Sequence, residues 1–223
     1  MLKFLRKALI VVLVLMLMTI CVSQIMYLVL TINPPKTNLS AVSEEPVEEG
    51  GIRYLNGSWY VQNDYGLWEA YLQGMPFQRG VDFGKLAVKE IQDQEDYFIG
   101  QIRRLIPSEF FLNTLKYGVA WFNRDLPEHV SEEMELELYG VSQAFNPDYE
   151  FIGSNYSRIL NYHAAHDVGH ALQDLSIVGC TSFATWNEIG ADSSLIVARN
   201  FDFYMGDEFA KNKMILFVRP DSG

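Results

Sequence analysis

Hydrophobic and polar positions divide the chain into regimes with different periods. Residues 8–32 form an unbroken uncharged apolar run, preceded by Lys3, Arg6 and Lys7. At ~1.5 Å rise per residue this run exceeds the ~20 residues a helix needs to cross a ~30 Å hydrocarbon core. Residues 33–51 contain Pro34, Pro35, Pro46, Glu44, Glu45, Glu48 and Glu49 and almost no large apolar side chain. Such a composition buries no core and reads as a flexible tether. Positions then alternate over 59–63 and 67–72 around Asp64-Tyr65-Gly66, the pattern of a hairpin. Beyond the break at Gly74-Met75-Pro76, Val81, Leu86, Val88, Ile91, Phe98, Ile102 and Leu105 recur mostly at helical intervals. They predict one long helix over 77–106, with Pro76 at its start and Pro107 past its end. Further helices are predicted over 109–123 and 128–145, each opening after a proline, and over 154–174. From there the period shortens. Residues 175–178, 180–186, 194–203 and 213–218 read as strands, with a turn over 188–192.

This order gives four parts. Residues 1–32 are a basic cytoplasmic flank and transmembrane signal anchor, and 33–51 are the acidic, proline-bearing tether. Residues 52–179 form a mainly helical region, and 180–223 begin a sheet domain. The apolar run is longer than the core of a secretory signal, and Met18-Thr19-Ile20 lacks the small residue a lipoprotein cleavage site places before its cysteine, here Cys21. We therefore expect an uncleaved, single-pass anchor through residues 8–32, its N-terminus cytoplasmic and the domain extracytoplasmic. Three strands with an exposed edge do not complete a sheet, so the chain is expected to be the front part of a longer protein.

Charge narrows the partners. All 28 acidic residues lie beyond the apolar run, whereas three of the 17 basic ones precede it, so the exported part is more acidic than the overall −11. No basic patch is available to displace counterions, which argues against nucleic acid. Cys21 sits within the apolar run and Cys180 far beyond it, so the two cysteines make no disulfide framework. A cysteine in such a place is often only a small buried hydrophobe.

Its surroundings point further. Cys180 follows Gly179, and the next predicted strand carries Arg199-Asn200-Phe201-Asp202. If the two strands pair through the 188–192 turn, a thiol, a guanidinium, an amide and a carboxylate come together. The chemistry that fits is an N-terminal nucleophile. Cleavage of the Gly179–Cys180 bond would give Cys180 a free α-amine, whose ordinary pKa of roughly 7.7–8.0 suits it to act as the thiol's own base. Arg199 and Asn200 would bind substrate, and Asp202 would orient the amine.

The segments "GCTSFATW", "VARNFDFYMG" and "NKMILFVRP" resemble the start of the mature chain in the choloylglycine hydrolase and penicillin V acylase superfamily. Those enzymes open with Cys-Thr and carry Arg-Asn-x-Asp on the following strand. Upstream, "LWEAYLQGMPFQRGVDFG" resembles the pro-region of isopenicillin N acyltransferase-like enzymes. The resemblance covers residues 67–223. It implies an α/β (α+β) class in which a helical pro-region leads into the first strands of an αββα sandwich. It also implies autoproteolysis before Cys180, a thiol nucleophile, and hydrolysis or acyl transfer on linear amide C–N bonds of a small-molecule substrate. No cofactor is implied, and a homo-oligomer is compatible with it.

One motif competes. In "YHAAHDVGH", His163, His166 and His170 share a helix face with Asp167, and His166 to His170 resembles a zinc-protease helix with Asp for Glu. Because this stretch falls just before the expected cleavage point, and Gly169 weakens the helix there, we read the histidines as structural. The alternatives are a metal-dependent hydrolase using these three histidines, or a non-catalytic membrane-anchored protein.

Overall fold

A computed structural model describes residues 2–171, 180–190, 192–200, 202 and 204–221, with the side chains of Leu2 and of residues 166–171 outside that description. The fold is mixed α+β, with one N-terminal apolar helix, α1 (Leu2–Leu30), long enough to span a membrane.

Four antiparallel strands follow: β1 (Val47–Glu49), β2 (Ile52–Leu55), β3 (Ser58–Gln62) and β4 (Trp68–Gly74). The β2–β3 connection is the Asn56-Gly57 pair, both at positive φ (51° and 81°), the geometry that matches strand twist in a two-residue hairpin. A Cβ at Gly57 would also stand 2.1 Å from the Gln73 amide nitrogen. The last strand, β7 (Met214–Pro220), joins parallel to β4, pairing Trp68 with Met214 and Gly74 with Pro220. The sheet order is therefore β1-β2-β3-β4-β7.

Alternation along β3 and β4 sends Ser58, Tyr60, Ala70 and Leu72 to one buried face. That face packs on α2 (Pro76–Leu86) through Leu55, Leu86 and Ala87. The helix predicted as one is two: α2 ends at Leu86, and α3 (Val88–Leu105) leaves at a new angle from Ala87, whose φ and ψ are −110° and 25°. The bend tucks Leu86 and Ala87 fully into the sheet core, and Arg53 donates to the Leu86 carbonyl at 2.7 Å.

On its other side α2 meets α5 (Glu132–Ser142) with almost no space between the backbones. A Cβ on Gly80 would lie 2.0 Å from the Glu137 carbonyl oxygen, and one on Gly140 would lie 2.4 Å from that of Phe77. Arg79, buried here, donates to Glu133 at 2.8 Å, Glu137 at 2.6 Å and the Gly74 carbonyl at 2.8 Å. Asp82, also buried, accepts from Asn56, Gln78 and Ser58, yet burial holds its carboxyl above the usual range.

Two further α-helices among the described residues are α4 (Glu109–Phe122), N-capped by Ser108, and α6 (Asn155–Ala171). A second core joins Leu138, Phe145, Tyr156, Ile159 and Leu160, and a third joins Phe98, Ile99 and Met205. Residues 172–174 of the fourth predicted helix and the predicted strand 175–178 lie outside the described residues.

Part of the 33–51 segment, expected as a flexible tether, lies on the domain. Ala41 is buried against Phe77 and Val81, Lys85 pairs with Glu45 at 2.8 Å, and β1 extends the sheet. The acidic composition is accommodated because those glutamates stay at the surface while the backbone pairs.

Candidate functional site

The stretch around Cys180 is a hairpin of β5 (Thr181–Asn187) and β6 (Ser193–Asn200), antiparallel, with Thr181 opposite Asn200 and Ser182 opposite Arg199. β-Branched and aromatic residues favour the extended chain here. A register irregularity lies between Thr185 and Asn187, and Asn187 and Ser193 both take positive φ at the two ends of the loop. Asp192 organises the loop: its carboxylate accepts from the Ser194 backbone N–H at 3.1 Å and hydroxyl at 2.5 Å, bonds that hold it below the usual carboxylate range.

This register sets the chemistry. Cys180 is the residue before β5, half-buried, and Arg199 donates from Nη2 to its Sγ at 3.6 Å. A permanent cation therefore stands beside the sulfur. Asn200 is exposed and pairs with Thr181 in the ladder. Asp202 is exposed past the end of β6, and no hydrogen bond joins it to Cys180 among the described residues. Gly179 lies outside the described residues. Of the four groups foreseen together, the thiol and the guanidinium meet.

Both faces of the hairpin carry uncovered apolar side chains: Phe183 and Trp186 from β5, Leu195, Ile196 and Val197 from β6. β7 likewise exposes Ile215, Leu216, Phe217 and Val218.

On α6, the His163 ring nitrogen Nδ1 lies 2.9 Å from the Ile159 carbonyl one turn back. The side chains of His166 and His170 fall outside the described residues. Among the described residues, no cluster of three or more His, Cys, Asp or Glu could hold a metal ion.

Two features had no place in the sequence reading. The first is a buried ion pair of Glu95 and Arg158, each side chain 1% exposed and 3.4 Å apart. Glu95 also accepts from the Tyr162 hydroxyl at 2.9 Å and the Asn146 N–H at 3.3 Å, and burial pushes its carboxyl above the usual range. Arg158 donates to the Asn146 carbonyl and the Asn155 side chain, so the pair locks α6 to α3. Its helical positions in the sequence carry no sign of this long-range pairing. The second is an apolar cavity of about 340 Å³ beside the end of α1, walled by Tyr27, Ile32, Ile99, Leu112, Val119 and Tyr162 among others. Cys180 does not line it.

No protein-family model, curated protein or solved structure matches the chain.

Proposed function

We propose that the chain belongs to a membrane-anchored, self-cleaving cysteine N-terminal nucleophile enzyme that hydrolyses, or transfers the acyl group of, linear amides. The observation that carries this reading is the Arg199 guanidinium 3.6 Å from the Cys180 sulfur, in a hairpin where cysteine directly follows glycine. The uncovered apolar faces of β5, β6 and β7 support it as well, being the surfaces a further sheet or helix layer of an αββα sandwich buries.

In maturation the Cys180 thiolate attacks the Gly179 carbonyl carbon, glycine having no side chain of its own to hinder the approach. The Gly179–Cys180 C–N bond breaks, the nitrogen takes a proton, and Gly179 is held as a thioester. Water then cleaves the thioester, leaving a Gly179 carboxylate and a Cys180 with both thiol and α-amine. In turnover that amine accepts the thiol proton and the sulfur attacks the substrate amide. The amine next protonates the departing nitrogen, and water or another acceptor releases the acyl group. Arg199 stabilises the sulfur anion and orients polar substrate atoms beside Asn200, while Asp202 fixes the amine once cleavage frees it. The Lys3, Arg6 and Lys7 flank orients the anchor with the domain outside the cytoplasm.

The test is hydrolysis of a panel of chromogenic linear acyl amides by the protein expressed from its whole gene. Cys180→Ala is expected to lose all activity and Cys180→Ser nearly all. A Cys180→Ala enzyme that still turns over any amide at the wild-type rate defeats the proposal.

A further inference from the structure

α4 buries none of its side chains, although it is one of the more apolar helices of the domain. Phe110, Phe111, Leu115, Trp121 and Phe122 are all exposed, Phe110 by 74% and Phe122 by 65%. At 100° per residue these five, with Thr114 and Gly118 between them, form one stripe along the whole helix. A Cβ at Gly118 would touch nothing within 4 Å, so nothing covers the middle of the stripe among the described residues.

The position of α4 relative to the span identifies what meets that stripe. Tyr117 in the middle of α4 packs edge-to-face on Tyr27 of α1 at 5.6 Å and accepts a hydrogen bond from Gln24. Lys116 lies over the Tyr27 ring at 5.3 Å, and the Tyr27 hydroxyl donates to the Ile152 carbonyl at 3.1 Å. Counted from Ala8, the ~20 residues that cross a ~30 Å core end at Tyr27. On that count Tyr27 stands at the hydrocarbon boundary and Gln24 about one turn inside it, and Tyr117, at the middle of α4, is fixed against both.

Charge agrees independently. In a domain that is acidic overall, residues 103–125 hold Arg103, Arg104, Lys116 and Arg124 against Glu109 and Asp125, the latter paired with Arg124 at 3.1 Å, and so keep a basic excess. Arg124 also lies over the Trp121 ring at 4.8 Å, a cationic and aromatic pairing suited to the headgroup region.

We propose that α4 is an interfacial helix whose Phe110, Phe111, Trp121 and Phe122 insert into the lipid leaflet facing the domain. The domain is then seated against the bilayer at a fixed height rather than held only by its span. This inference does not depend on the chemistry of Cys180 or on which side of the membrane the domain lies.

The test reconstitutes the full chain into phosphatidylcholine vesicles, with and without phosphatidylglycerol, using lipids brominated near the headgroup end of the acyl chain. Trp121 emission is the difference between wild type and Trp121→Phe. Bromolipid is expected to quench it and aqueous iodide is not, with stronger bromolipid quenching in the anionic vesicles. Phe111→Asp, at an exposed position that leaves the fold intact, is expected to reverse the two quenchers. Iodide quenching without bromolipid quenching would put the stripe in water and overturn the proposal. Protection from both would mean a protein surface, such as a second copy of the chain, and would overturn it equally. Bromolipid quenching unchanged by Phe111→Asp would do the same.

Discussion

Gly80→Ala and Gly100→Ala are one substitution placed on two adjoining helices, and they should move stability in opposite directions. In α2, the new methyl of Gly80→Ala would stand 2.0 Å from the Glu137 carbonyl oxygen, 2.9 Å from the Glu137 carbonyl carbon and 3.0 Å from the Gly140 Cα. All three atoms are α5 backbone, which no rotamer change removes. With ordinary contacts at ~3.5 Å, the helices must separate by more than ~1 Å. α2 has nowhere to retreat, because its far side holds Leu86 in the sheet core and Arg79 ties it to Glu133 and Glu137. Overpacking of this kind costs about 1–3 kcal/mol, and rigid backbone on both sides argues for the upper part of that range. The helix-propensity gain from glycine to alanine returns about 1 kcal/mol. The clash wins, and Gly80→Ala should lose about 1–2 kcal/mol. In α3, a Cβ at Gly100 meets nothing within 4 Å, so only the propensity gain remains. Gly100→Ala should gain about 0.5–1 kcal/mol. Urea unfolding in detergent, followed by tryptophan emission, reads both. A Gly80→Ala midpoint at or above wild type, or a Gly100→Ala midpoint below it, would refute the close-packing argument.

Arg158→Met should destabilise by about 3–5 kcal/mol, because it strands the Glu95 charge in the core, whereas Arg158→Met with Glu95→Gln should recover part of that loss. Denaturant midpoints of the two variants would contradict this if the double substitution were the worse. Asp82, held by burial above its unfolded value, contributes stability that is fully present below the ordinary carboxylate range and lost as pH rises through its folded pKa. The stability of wild type relative to Asp82→Asn should therefore grow as pH falls from neutral towards ~4, and a difference that shrinks over that window reverses the sign we assign. If the domain is extracytoplasmic, protease added outside intact cells should digest it, and resistance until the membrane is broken would place it on the other side. Asp202→Asn should lower amide turnover in the mature enzyme, and wild-type kcat/KM for that variant would remove Asp202 from the amine-orienting role.

Local signals suffice where one short stretch decides the outcome. Asp64-Tyr65-Gly66 between alternating runs is the β3–β4 turn, and the loop after Asn187 returns β6 along β5 so that Arg199 reaches Cys180. Pro76 does open α2. Where longer range decides, the pattern was silent or misleading. The apolar period runs through Ala87 without interruption, so the bend there is set by the sheet beneath it and by Arg53 capping Leu86. The parallel pairing of β7 with β4 joins residues far apart in the chain, and no local composition marks it. β1 and β2 were masked by the acidic surroundings of the first, although Asn56-Gly57 is a strong hairpin signal that could have recovered β2. The Glu95–Arg158 pair and the lipid-facing stripe of α4 depend on which helices become neighbours, information that single-helix periodicity does not carry.

The central claim is that the Cys180 thiol cuts its own Gly179–Cys180 bond to become an N-terminal nucleophile. The most direct measurement is N-terminal sequencing of the fragments in an active preparation of the protein expressed from its whole gene, beside its Cys180→Ala variant. A fragment beginning Cys-Thr-Ser-Phe is expected in the active protein and a single uncleaved chain in the variant. An active protein whose Gly179–Cys180 bond is intact, or whose new N-terminus lies elsewhere, would contradict that claim.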